Sequence, residues 1–237
     1  MILYSDYPVG EVYTNLLTKP FRKEQMSKYK AIWQIDLDLD AVALLKEFSE
    51  CFSHKLSKVY SENESWTGVT VCKKGSRFDL QKLPEVGKLI ESFGKDNVLG
   101  INYFNLETNS KLHEHRDMNG NLLFGIVRIH IPLITNGQAF MFVERIKYNL
   151  PVGTAWVLDT SGLHALANGP IGDRIHLVID IKKGSETRQY FPKWSCSVVL
   201  HLGKFIFIMF IKIVRDILSN PGSLVKRLKD KSKEYKK

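Results

Sequence analysis

Cysteine is scarce in this chain: three residues in 237, at Cys51, Cys72 and Cys196, with no spacing that would gather them on a metal. So few and so scattered, they exclude a disulfide framework and a zinc–thiolate site, and they suit a reducing compartment. Each thiol is expected to be a small, buried or partly buried side chain. The opening residues, MILYSDYPVGEVY, hold neither a basic stretch nor a long apolar run, so no signal peptide is expected. The longest uninterrupted apolar run, Phe205–Ile211, falls well short of the roughly twenty residues that a membrane span requires. Internal repeats and low-complexity tracts are missing too, until the lysine-rich end. Acidic residues are outnumbered, 25 against 34 Lys and Arg, for a formal net charge of +9. Most of that excess lies between Lys204 and Lys237, which leaves the body of the chain with an ordinary balance and argues against nucleic-acid binding by it.

What is present is a periodicity that changes character along the chain. A short helix is expected around Lys23–Lys30, a strand over Ala31–Leu37, and an amphipathic helix over Asp40–Tyr60 with Val42, Leu45, Phe48 and Phe52 near one face. Trp66–Lys73 reads as a strand, and Lys82–Phe93 as a helix with Pro84 near its start. From Val98 onward short strands take over: Gly100–Leu106, Gly125–Pro132, Ala139–Val143, Thr154–Leu158 and Arg174–Ile181, punctuated by Gly, Asn and Pro. Many short strands at near-regular intervals predict a mainly β protein with flanking helices, a double-stranded β-helix (jelly roll, cupin-like) rather than a parallel βαβ sheet. The chain then divides into an α/β flank at residues 1–97, a catalytic core at 98–192, and an apolar then basic tail at 193–237.

Within the core, His115-Arg116-Asp117 is followed by His164 and then by Arg174. On an extended strand, residues i and i+2 project from one face, so His115 and Asp117 reach the same point. Two imidazoles and one carboxylate are the donor set of non-haem Fe(II) oxygenases, which keep the remaining coordination positions open. His115, Asp117 and His164 are therefore the candidate metal ligands. The residual positive charge of Fe(II) on such a triad favours a dianionic chelator such as 2-oxoglutarate. Its far carboxylate calls for a two-pronged donor, and Arg174 is the candidate.

The segment Arg128–Ile181, reading RIHIPLITN…GTAWVLDTSGLHALANGPIGDRIHLVIDI, resembles the aspartyl/asparaginyl β-hydroxylase family of Fe(II)/2-oxoglutarate-dependent oxygenases, and the resemblance extends over about Val98–Lys182. By position, His115 and His164 match the two iron-binding histidines. Asp117 matches the acidic ligand of the proline-hydroxylase branch, which the peptidyl branch lacks. Arg174 matches the arginine that holds the far carboxylate of 2-oxoglutarate, and Arg128 and His130 match positions that contact this co-substrate from the adjacent strand. The resemblance implies a dioxygenase that uses Fe(II), 2-oxoglutarate and O2 to hydroxylate an unactivated C–H bond of an amino-acid-like or aspartyl/asparaginyl substrate.

Plainer readings compete. His130 and His176 lie in apolar strands and fit core histidines; for His176 the structural role is favoured, and for His113 a surface or supporting one. Trp33, Trp66 and Trp156 read as core, and His54 and His201 belong to no constellation. A jelly-roll binding module without activity is the non-enzyme alternative, since a fold alone implies no chemistry. The tail offers a further alternative. Phe205–Leu218 as a helix is apolar and then basic, which suits peripheral contact with a membrane and a lipid acyl chain or lipid-linked glycan as substrate. Packing on the domain or on a second copy would serve the same residues equally well. The expected location is cytoplasmic, with the inner face of the membrane as the peripheral option.

Overall fold

The structure, a computed structural model, describes residues 29–60, 63–73, 80–117 and 120–219. The helix expected at Lys23–Lys30 lies almost wholly outside them. Among the described residues eleven strands run in chain order as β1 Ile32–Ile35, β2 Ser57–Tyr60, β3 Asn63–Lys73, β4 Val98–Leu106, β5 Lys111–His115, β6 Ile126–Ile134, β7 Phe140–Val143, β8 Ile146–Tyr148, β9 Ala155–Leu158, β10 His164–Ala167 and β11 Arg174–Lys182. Three α-helices accompany them among the described residues: α1 Ala41–Cys51, α2 Pro84–Phe93 and α3 Cys196–Ser219. The strands form a seven-stranded sheet ordered β1-β9-β6-β11-β4-β3-β2 and a four-stranded sheet ordered β5-β10-β7-β8. This is the jelly roll that the spacing of short strands predicts.

Alternation along β6 and β11 makes two cores. Val127, Ile129 and Ile131 of β6, with Leu177, Ile179 and Ile181 of β11, are wholly buried against Leu44 and Phe48 of α1 and Val86, Ile90 and Phe93 of α2. Burying each such side chain is worth about 1.5–3 kcal/mol. The opposite face of the large sheet looks toward the small one, and Ile32, Trp66, Leu106, Met141, Leu158 and Leu166 form the apolar layer between them. Period two sends the polar residues of the same strands, Arg128 and His130 on β6 and Arg174, His176 and Asp180 on β11, to this inner face.

Helix α1 starts where Asp40 accepts hydrogen bonds from the Val42 and Ala43 amides at 3.0 and 2.9 Å. It ends at Cys51, short of the expected Tyr60. Ser49 and Ser53 donate side-chain bonds to the Leu45 and Ser49 carbonyls. Such bonds weaken a helix, and Ser57–Tyr60 pairs with β3 instead. Helix α2 has no side-chain cap of its own; buried Glu47 of α1 accepts from its Glu85 and Val86 amides at 2.6 and 3.2 Å. Of the three free thiols Cys72 is buried and Cys51 partly so, but Cys196 is exposed at the start of α3, contrary to expectation. Helix α3 is also longer than the apolar run suggests, and at 24 residues, with a mean hydropathy of 2.0 over an 18-residue stretch, it is long and apolar enough to cross a membrane.

Candidate metal centre

The small sheet brings the two candidate histidines face to face. His164 opens β10 and pairs directly with His115 at the end of β5, their ring centroids 4.2 Å apart. The register slips between His164 and Leu166, and at this irregularity the His113 carbonyl turns to accept a hydrogen bond from His115 Nδ1 at 2.7 Å. A bulge of this kind re-aims a side chain. His164 Nδ1 donates to the Gly162 carbonyl at 2.9 Å. A carbonyl can only accept, so both Nδ1 atoms carry the proton and both Nε2 atoms keep a lone pair. Asp117 lies just past β5, its Oδ1 3.6 Å from His115 Nε2. Ligand atoms of His115, Asp117 and His164 lie within 4.8 Å of one another. Two imidazoles oriented by carbonyls, plus a carboxylate, fit a divalent transition ion, whose histidine ligands characteristically donate their other N–H in this way. Burial, and then the nearby His115, pulls the His164 pKa down to about 4, so its ring is neutral at neutral pH.

Arg128, one of the expected co-substrate contacts, has its donors directed at carboxylates. Its Nη1 donates to Asp117 Oδ2 at 2.9 Å, while Nε and Nη2 form a fork on Asp180 at 2.7 and 3.1 Å. Arg128 and Asp180 are cross-strand partners in the β6–β11 ladder, which explains why they meet. The guanidinium thereby leaves Asp117 Oδ1 toward the histidines. Replacing Arg128 with leucine is expected to weaken Co(II) or Fe(II) binding about 10–100-fold, the usual cost of losing such a partner, with 2-oxoglutarate KM little changed at saturating metal. A raised KM with intact metal affinity would instead return Arg128 to the co-substrate.

Arg174 stands in the opposite condition. It is 3% exposed, and among the described residues no carboxylate pairs with it. Burial without a counter-charge draws its pKa down to about 9, still well above neutrality. Its Nη2 donates to His176 Nδ1 at 3.1 Å, so the His176 proton sits on Nε2, which finds no partner among the described residues. His130, 5.8 Å from His176 between ring centroids, has neither ring nitrogen bonded among the described residues. Burial first, then Arg174 and Arg128, holds His130 neutral; burial and Arg174 do the same for His176. A buried guanidinium and orphaned imidazole nitrogens make an incomplete polar cluster, and a carboxylate guest would complete it.

A turn that no sequence motif announces holds the His115–Asp117 and His164 segments together. Thr160 O accepts the Asp117 amide at 3.0 Å, and Arg116 reaches from between His115 and Asp117 to Ser161 O and, at 3.0 Å, to Glu144. Glu144 also accepts from the Leu163 amide at 2.9 Å. Gly162 is required there, because an added Cβ would sit 2.6 Å from Ala31 Cβ. Fully buried Asp159 accepts from the Leu122 and Ser161 amides at 3.1 Å, from Ser161 Oγ at 2.8 Å and from the Tyr29 hydroxyl at 3.2 Å. His201 of α3, given no role above, completes the cluster with its Nε2 3.0 Å from Ser161 Oγ and 3.5 Å from Asp159 Oδ2.

Burial would raise the Asp159 pKa, but the bonds from His201, Ser161 and the Leu122 amide hold it below the ordinary carboxylate value. Glu144 is likewise held down against its burial by Leu163 and Arg116. A depressed carboxylate contributes stability that is complete above its unfolded pKa and vanishes as pH falls through the folded one. The protein should therefore lose stability below the ordinary carboxylate range, and Asp159→Asn should remove part of that dependence. At neutral pH the substitution is expected to cost about 3 kcal/mol, a fall of about 6–12 °C in melting temperature. Equal melts for both proteins would deny Asp159 this role.

Comparison with known proteins adds an independent finding. A family model described as Aspartyl/Asparaginyl beta-hydroxylase matches residues 30–184. Among solved structures, HygX from Streptomyces hygroscopicus with nickel and 2-oxoglutarate bound is 11% identical, with a TM-score of 0.46 over 70% of this chain and 86% of that one. A Pseudomonas putida prolyl-4-hydroxylase is 12% identical, with a TM-score of 0.45 over 66% and 94%. A viral collagen prolyl hydroxylase of Paramecium Bursaria Chlorella virus-1, in a 2OG complex, is 13% identical, with a TM-score of 0.47 over 66% and 97%.

Proposed function

This chain belongs to the aspartyl/asparaginyl β-hydroxylase family, and from that premise we propose that His115, Asp117 and His164 hold the ferrous ion and Arg174 the far carboxylate of 2-oxoglutarate. The protein is an Fe(II)/2-oxoglutarate-dependent oxygenase of the hydroxylase type. The site assignment rests on one observation: three metal-competent side chains converge with their tautomers set by backbone carbonyls, on the inner face that also carries a buried arginine lacking a counter-ion.

Iron with 2-oxoglutarate and O2 supplies the oxidising power for C–H hydroxylation, releasing succinate and CO2. The protein's own part is geometric and electrostatic. His115 and His164 present Nε2 lone pairs because their Nδ1–H groups donate to His113 O and Gly162 O. Arg128 orients Asp117, and Asp180 anchors Arg128. Arg174 gains a counter-charge when a carboxylate enters, while His130 and His176, both neutral, can donate to it without adding charge. The apolar layer of Trp66, Leu106 and Leu166 lies between the sheets, away from bulk water.

The substrate is proposed to be an amino-acid-like molecule or an aspartyl/asparaginyl side chain. The exposed apolar face of α3 favours a second reading, in which this helix contacts a membrane and the substrate is a lipid acyl chain or lipid-linked glycan. Anaerobic titration with Fe(II) and 2-oxoglutarate, followed by a succinate-release screen over amino acids, peptides and lipid-linked glycans, tests both. Stimulation by the lipid-linked set alone would select the second.

A further inference from the structure

Helix α3 is two helices in its environment. In its first part Val198, Leu202 and Phe205 are buried against the domain, and His201 is locked to Ser161 and stacked on Tyr29 at 4.8 Å between centroids. Beyond Phe205 no residue of the helix is buried. Ile206, Phe207, Phe210 and Ile211 are at least half exposed, and Leu218 is 78% exposed. At the spacing of a helix these follow Val199 and Leu200 down one continuous outer face. Lys204, Lys212 and Arg215 line up along its edge, Trp194 is exposed just before the helix, and residues 226–237 carry seven Lys and Arg against Asp230 and Glu234.

We propose that α3 is an in-plane anchor whose outer face lies in the surface of an anionic bilayer and does not cross it. This rests on the membrane contact proposed above and adds its geometry and lipid charge. A crossing helix would have to leave the domain, which means stripping His201 from Ser161 and Phe205 from its packing. The described part beyond Phe205, Ile206–Ser219, spans about 21 Å at roughly 1.5 Å per residue, short of the roughly 30 Å hydrocarbon core, and the helix-breaking pair Pro221-Gly222 follows it in the sequence. An in-plane helix needs neither concession: it buries one apolar face and sets its cationic edge among acidic headgroups. A second copy is the poorer occupant, because a two-fold contact would bring the same lysine-rich edges together. The pin also fixes orientation. Ser161 lies in the turn that leads into His164, so the bilayer would meet the protein at the metal-bearing end of the barrel.

The test uses the full chain and vesicles of phosphatidylcholine with or without phosphatidylglycerol. Flotation is expected with the anionic vesicles and at least about tenfold weaker with neutral ones or in molar salt. Phe207→Asp combined with Phe210→Asp should abolish flotation while leaving the melting temperature unchanged, since both side chains are exposed. In detergent-reconstituted proteoliposomes, external trypsin should trim residues 220–237 from every molecule whose domain is outside. Protection of that segment would overturn the in-plane arrangement and leave membrane contact standing. No flotation, or flotation indifferent to both phenylalanines, would overturn the contact itself, and concentration-dependent dimers lost in the double variant would assign the face to a second copy. None of these outcomes bears on the oxygenase assignment.

Discussion

His164→Ala is expected to abolish succinate formation from 2-oxoglutarate, a loss well beyond the roughly 10–100-fold that removing a partner of a ligand costs. The reason is geometric. His164 is 5% exposed, sits opposite His115 in the small sheet, and offers an Nε2 whose lone pair is free because Nδ1 is tied to Gly162. Alanine leaves two donors, too few to hold an ion whose other positions must stay open. The fold should tolerate the change: a carbonyl loses one hydrogen bond, worth about 1 kcal/mol, so the melting temperature should fall by only a few degrees. Metal-dependent turnover in a folded His164→Ala protein would remove the residue from the triad.

Arg174→Met is expected to raise the 2-oxoglutarate KM about a hundredfold while kcat at saturation and metal affinity change little. Losing a two-pronged, charge-assisted contact costs about 3 kcal/mol, and each 1.4 kcal/mol is roughly a factor of ten. The same substitution should raise the melting temperature of the co-substrate-free protein. The buried guanidinium has no carboxylate partner there, and exchanging an uncompensated buried charge for an apolar side chain of similar length is stabilising. A purely structural arginine would behave in the reverse way, with the variant less stable and its KM unmoved. Arg174→Lys should recover only part of the affinity, since an ammonium is a point charge that cannot form the fork.

The clustering of His115, Asp117 and His164 was legible because its information is local: His115 and Asp117 sit two apart, and His164 and Arg174 follow in order within strongly patterned strands. The jelly roll was legible in the turn residues between those strands. Other features depend on pairings that one sequence does not state. Asp180 meets Arg128 only through the β6–β11 register. The short strands β5, β8 and β10 went unread, being three to five residues long in the small sheet. Glu144 reaches Arg116 from a tight β7–β8 turn in which Glu144 and Arg145 both take positive φ, 48° and 67°, without a glycine to announce it. His201 could be placed by no local rule, since its partners Ser161 and Asp159 lie about forty residues upstream. Lys204 and Lys212 interrupt the apolar run of α3 in sequence, yet on the helix both fall on one edge and leave the outer face whole.

Anaerobic titration of the intact chain with Fe(II), followed calorimetrically, tests the centre most directly. One ion per chain is expected, with binding lost in His115→Ala, Asp117→Ala and His164→Ala alike. Failure of the folded wild-type chain to take up the metal, or undiminished uptake by all three variants, would contradict a shared ferrous site.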